Sequence, residues 1–270
     1  MEQIKNYEIA DEILLVLRSK ELEIPKFHGT SSQLCYRRLL IDWLAVISEK
    51  LFLSHGILHL SVVYMDTMME KWEFSKRSQL NLLALCCLWI AAKLDETDNR
   101  IPLISTLKCF VANSFEQDDF MQMELNIMQS LDWRLLLPTS VHFLDLYLSN
   151  SICLDDLHVG YKITSTEKYK VYIQKYAFYF LEVSLQDHYF NDFLPSLVAS
   201  AAISASRICL KLTPSWNQLL ETMTGYSESC LTNLVNFFLR IHQEDQQRPK
   251  SVQTKTYLYQ DESLDGSGSG

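Results

Sequence analysis

Apolar residues recur along this chain three and four positions apart, in blocks separated by short polar joints. That interval lines one face of an α-helix. The pattern predicts helices over about 6–20, 33–53, 55–72 and 78–94, a short one opened by Pro102, and another over 116–132. After 137-LPTS-140 it restarts, with helices over about 139–150, 164–186, 193–211, 215–223 and 226–243. Ile9, Ile13, Leu14 and Leu17 share a face of the first helix; Met121, Leu125, Met128 and Leu131 share one of the sixth. Ser75 or Ser78 suits the N-cap of the fourth, and Glu116, Asp118 and Asp119 suit the positive start of the sixth. No segment alternates as a half-buried strand does.

The fourth helix differs from the others. Leu82 to Ala92 are eleven apolar residues in a row, closed by Lys93, Leu94, Asp95 and Glu96. Such a run is short for a bilayer and reads as a helix surrounded by other helices. A fainter counterpart lies in the second half: with Leu82-Leu83-Ala84 set over Leu197-Val198-Ala199, Tyr64 falls over Tyr179 and Phe120 over Val235. Each half then has one apolar helix wrapped by about four amphipathic ones, although two buried helices align this well by composition alone.

Composition supports an all-α soluble protein. Among 270 residues there are only seven Gly and six Pro, with 48% hydrophobic and 21% charged residues. The net charge of −9 disfavours a general nucleic-acid binder, which needs a basic stripe for phosphates. The start of the sequence has no pattern of a secretory leader. Seven scattered cysteines without a C-x-x-C pair read as reduced thiols of an intracellular protein. The tail beyond 243 is polar and ends in GSGSG, which resembles an engineered flexible linker.

Catalytic patterns are missing. There is no Gly-rich phosphate loop and no G-x-S-x-G elbow. His55 and His59 have the spacing of a helical metal pair, but H-E-x-x-H and a third ligand are absent. His142 and His188 read as packing or surface residues. The expectation is an interaction protein without catalytic residues, cofactor or metal. One ionic feature stands out: Asp66 lies in the apolar stretch 62-VVYMDTMM-69. Either it faces solvent or it is buried with a partner, and Arg37 is available for that role.

Five blocks, 36-YRRLLIDWL-44, 59-HLSVVYMDTMM-69, 82-LLALCCLWIAAKLDE-96, 123-MELNIMQSLDW-133 and 138-PT-139, resemble the cyclin box in order and spacing. The second half, notably 176-YAFYFLEVSLQDHYFNDFLPSLVASA-201, resembles the J-type branch of that family. The resemblance covers about 6–243. It implies two tandem five-helix cyclin folds preceded by an N-terminal helix: 1–30 for that helix and its connector, 31–136 for the first fold, 137–243 for the second, and 244–270 for a flexible tail.

It further implies a regulatory subunit that binds and activates a cyclin-dependent kinase, helps select its substrates and acts inside the cell, in the nucleus and the cytoplasm. No membrane or nucleic-acid partner is implied. By alignment Arg37 and Asp66 take the places of the family's internal salt bridge, and Leu82 that of a core residue. Lys93 and Glu124 take those of the kinase-facing pair, with Leu94, Glu96, Met128 and Trp133 around them. Tyr36, Leu39, Leu40 and Trp43 take those of the groove that docks short linear peptides. There the family usually has Met in place of Tyr36 and an acid in place of Val46. The same four residues are equally well explained as core.

Overall fold

The computed structural model describes residues 2–112 and 114–247, with side chains from residue 10 onward. The side chain of Ile9 and the tail beyond 247, with its Gly/Ser ending, lie outside the described residues. The helices are α1 (Glu2–Glu21), α2 (Leu34–Lys50), α3 (His55–Lys71), α4 (Arg77–Asp95), α5 (Ile104–Lys108), α6 (Gln117–Ser130), α7 (Ser140–Tyr147), α8 (Thr166–Gln186), α9 (Pro195–Cys209), α10 (Gln218–Thr224) and α11 (Glu228–Gln247). The fold is all-α. Three two-residue strands are added to it: β1 (Leu157–His158), β2 (Tyr161–Lys162) and β3 (Leu212–Thr213). They form an antiparallel sheet in the order β2-β1-β3, with Leu157 opposite both Lys162 and Thr213. Two residues are too few to show alternation, so the sequence pattern gave no sign of them.

The described chain divides into two compact units. One is Pro25–Leu137; the other joins α1, through Ile24, to the chain from Pro138 onward. They are called the first and second units below.

In the first unit α4 is the central helix. Every residue from Leu80 to Ala92 is buried, because α2, α3 and α6 pack around it. By length and composition alone α4 could cross a membrane, but here its apolar surface is covered by protein. Its N-terminus differs from expectation. Lys76 occupies the cap without a side-chain bond, so Ser75 lies one residue too early and Ser78 is already helical. α3 has a side-chain cap, Ser54 Oγ accepting from Ile57 N–H at 3.4 Å. α6 opens with reciprocal bonds between Glu116 and Asp119, the Glu116 N–H donating to Asp119 Oδ2 at 2.7 Å. The Arg37–Asp66 pair joins α2 to α3 in the core. Arg37 Nε and Nη2 donate to the two carboxylate oxygens at 2.7 and 2.8 Å.

The buried face of α6 shares only Leu131 with the stripe its spacing suggested. Phe120, Ile127 and Leu131 are buried, whereas Met121 and Leu125 are exposed and Met128 is half-buried. Both stripes are apolar. The sequence gives two adjacent candidates, and packing against α4 selects the one containing Phe120.

In the second unit α9 is central and packs against α7, α8 and α11. Its buried residues include Ala199, Ala201, Ala202, Ala205, Ser200 and Ser206. Small side chains let neighbouring helices approach closely. The buried hydroxyls of Ser200 and Ser206 donate to carbonyls one turn back, at 2.8 and 2.6 Å. Leu14 and Leu17 of α1 pack on this core, while Ile13, expected on the same face, is exposed. At the end of α1, Glu21 accepts from the Ser196 N–H and hydroxyl at 3.1 and 2.9 Å. The helix therefore docks its carboxylate against the positive N-terminus of α9. α11 runs to Gln247, four residues into the segment expected as tail.

Candidate functional site

Chemistry at the end of α4 follows from where its stiff apolar body stops. Lys93 is the first residue after the buried run, and its Nζ donates to Glu124 Oε1 of α6 at 2.6 Å. The same ammonium lies 3.3 Å from the centroid of the Trp89 ring, one turn back. The pair is partly open to water, with side-chain exposures of 35% for Lys93 and 15% for Glu124. Its contribution to stability is therefore small, about 0–1 kcal/mol. Beneath it, burial pushes the Cys86 thiol far up, and the Glu124 charge acts in the same direction. That thiol stays neutral and serves as packing.

Exposed apolar residues adjoin both partners of the pair along the sequence. Leu94, Met121 and Leu125 are exposed, and Met128 lies half-buried one turn beyond Glu124. Past the end of α6, Asp132 and Trp133 both adopt positive φ, 50° and 59°. The Trp133 N–H donates back to the Met128 carbonyl at 2.9 Å, and its ring projects into solvent, 61% exposed. Met121 and Leu125 were missed as surface residues because their spacing suits a buried stripe equally well. The sign available in the sequence was that α6 has more apolar positions than one face can hold.

Glu96 does not share that exposure. Its side chain is buried and paired with Arg100 at 3.2 Å, so it acts as a strap. Leu82 is buried in α4. Of the four groove candidates, Leu40 and Trp43 are core residues, 3% and 8% exposed. Tyr36 and Leu39 are half-buried, with the Arg77 guanidinium 5.9 Å from the Tyr36 ring. The face offered to a peptide is thus narrower than the i, i+3, i+4, i+7 spacing suggested. His59 is buried in the α3 core, and among the described residues no three His, Cys, Asp or Glu side chains are grouped to hold a metal.

A second ionic centre went unread in the sequence. Arg207 of α9, wholly buried, pairs with Asp156 through Nη1 and Nη2 at 2.9 and 2.7 Å. It also donates to the Ser151 carbonyl at 2.6 Å and, from Nε and Nη2, to the Pro214 carbonyl at 3.2 and 2.6 Å. The available signal was one Arg within a run of Ala, Ser and Ile. The arrangement gives the second unit a structural ion pair of its own.

A helical unit built on one apolar central helix, with a charge pair and exposed apolar side chains at that helix's end, has the make-up of an interaction protein. Family comparison agrees with this class. The models of the cyclin N-terminal domain and cyclin C-terminal domain match residues 12–136 and 138–262. The chain belongs to the cyclin family. It is 38% identical over 243 residues to cyclin-J of Xenopus laevis, covering 88% of this chain and 63% of that protein. To human cyclin-J it is 36% identical, covering 88% and 62%. It thus spans somewhat under two thirds of the length of these relatives. A cyclin-A2-1 of Arabidopsis thaliana is 31% identical over 74% of the chain and 42% of that protein. The crystal structure of a viral cyclin from herpesvirus saimiri shares the fold, with a TM-score of 0.66 at 18% identity, covering 86% of this chain and 97% of the viral one.

Proposed function

We propose that this cyclin is a regulatory subunit that binds and activates a cyclin-dependent serine/threonine kinase, through the end of α4 and the outer face of α6. The observation carrying this reading is the Lys93–Glu124 pair, held at 2.6 Å, with exposed Leu94 next to Lys93, exposed Met121 and Leu125 on the helix that carries Glu124, and exposed Trp133 past that helix's end. Exposed Met and Trp side chains on or just past the elements that carry a fixed charge pair match the composition of protein interfaces, which are enriched in aromatic residues and Met.

The physical mechanism is selection of a conformation. A kinase holds its nucleotide phosphates correctly only when the β3 Lys pairs with a Glu on a mobile helix. A rigid surface that binds only the inward position of that helix shifts the population towards activity. Rigidity comes from α4, whose buried body does not yield. Apolar side chains then supply binding energy, while Lys93 and Glu124 set register by hydrogen bonding to the partner. Substrate selection through the α2 face is supported less well, since Leu40 and Trp43 are committed to the core. The same burial weighs against a scaffold that recruits non-kinase proteins through that groove. The site of action is proposed as intracellular, including the nucleus.

Pull-down of cyclin-dependent kinases by the Lys93→Ala, Glu124→Ala double variant tests this. Loss of kinase with an unchanged melting temperature is expected. Equal recovery by variant and parent contradicts the reading.

A further inference from the structure

The most exposed large apolar side chain among the described residues is Phe52, 81% exposed in the turn between α2 and α3. Its backbone has φ 55°, a left-handed conformation that costs any residue with a Cβ and that Gly adopts freely. Trp133 and Val159 also combine exposure with positive φ, and Phe52 is the most exposed of the three: the turn places a Phe where folding alone favours Gly. Persistent strain of this kind points to use.

The turn is fastened to the end of α4. Arg100 Nη2 donates to the Phe52 carbonyl oxygen, and Nη1 of the same guanidinium pairs with Glu96, just past Asp95, at 3.2 Å. Ser54 Oγ lies 3.3 Å from Asp95 Oδ2. Gly56 leaves room for that approach, since a Cβ there would lie 3.2 Å from Asp95 Oδ2. The Phe52 N–H donates to the Glu49 carbonyl at 3.1 Å and the Leu53 N–H to that of Ser48 at 2.9 Å. Asp95 and Glu96 therefore hold the Phe52 turn, directly after Lys93 and Leu94 have presented the candidate site.

We propose that Phe52 is a pre-set apolar knob that enters a hydrophobic recess on the same kinase, extending the Lys93–Glu124 surface around the end of α4. The inference rests on the function proposed above. Continuity names the occupant, because Phe52 is tied through Arg100 and Glu96 to the turn that follows Lys93. A backbone already held in one conformation loses little freedom on binding, which lowers the cost of burying its aromatic side chain in a partner. Leu103, three residues after Arg100, is the next exposed apolar side chain along that stretch.

Strain gives the test two opposite signs. A panel of purified cyclin-dependent kinases is titrated against the chain, and the tightest binder serves as probe. Phe52→Gly is expected to weaken that binding by about tenfold or more, while leaving the melting temperature unchanged or raised by a few degrees. Phe52→Asn, which tolerates positive φ, is expected to weaken it similarly. Affinity within twofold of the parent for both variants, with loss in the Lys93→Ala, Glu124→Ala variant, overturns the knob and leaves the proposed function standing. A lowered melting temperature in Phe52→Gly overturns it too, by making the ring structural. If no kinase binds the parent chain, or the charge-pair variant binds as well as the parent, the proposed function fails and the knob with it.

Discussion

Replacing Arg207 by Met is expected to cost the second unit about 3–5 kcal/mol, the range for removing one partner of a buried ion pair. The structure shows why the upper part applies. All five N–H groups of the guanidinium are occupied by the bonds to Asp156, Ser151 and Pro214. Without them the Asp156 carboxylate, 2% exposed, keeps the Cys153 N–H at 2.7 Å and loses the cation it is paired with. The Ser151 and Pro214 carbonyls lose their donors as well, and each unsatisfied buried group costs about 1–3 kcal/mol. Urea unfolding measures the loss. With a slope of about 2 kcal/mol/M, the midpoint falls by about 2 M. Hydrogen exchange should place the lost protection in residues 151–216. Arg207→Lys has three donors where five are needed, so it recovers only part. The Arg207→Met, Asp156→Leu double variant recovers more, because no charge is left buried. A Met variant within about 1 kcal/mol of the parent refutes the reasoning.

Further outcomes follow from other contacts. Asp66→Ala leaves the Arg37 guanidinium buried without its bidentate partner, so the first unit should lose about 3–5 kcal/mol in the same urea assay. Leu82→Ala opens a cavity in the α4 core and should cost about 2–5 kcal/mol, with kinase affinity preserved at temperatures where the unit stays folded. At pH 8, iodoacetamide should label exposed Cys35, Cys109 and Cys230 well before Cys209, whose thiol burial pushes up to about 11. Burial also pushes Cys86 and Cys87 up. The folded state thus holds these protons more tightly than the unfolded chain, whose thiols ionise near pH 8.5. Their contribution to stability is complete below that pH and declines as pH rises through it towards 11; a melting temperature rising across that interval contradicts the assignment.

Much of the fold was legible because helices announce themselves by spacing. Each helix of the described chain begins and ends within a few residues of its apolar block, from α2 at Leu34–Lys50 to α9 at Pro195–Cys209. Legibility fails where the information is tertiary. The choice between the Phe120 and Met121 stripes of α6 is made by contact with α4, not by spacing. Arg207 looks like any charge near a helix end until the 151–156 loop supplies Asp156 and Ser151. Asp66 was ambiguous for the same reason, and the 2.7 Å contact with Arg37 resolves it towards burial. Lys93 and Glu124 lie thirty-one positions apart, and no periodicity joins them; family resemblance pointed to them, and the geometry brings them together. Phe52 carried no signal, since its strain appears only in the backbone.

Activity of a reconstituted pair decides whether this chain switches on a kinase through the Lys93–Glu124 surface. A purified cyclin-dependent kinase from the binding panel is titrated with the parent chain and with the Lys93→Ala, Glu124→Ala variant, and phosphate transfer to a histone substrate is followed. Saturable activation by the parent and at least a tenfold loss for the variant, at equal melting temperatures, are expected. Equal activation by both chains, or none by the parent at saturating binding, contradicts activation through that surface.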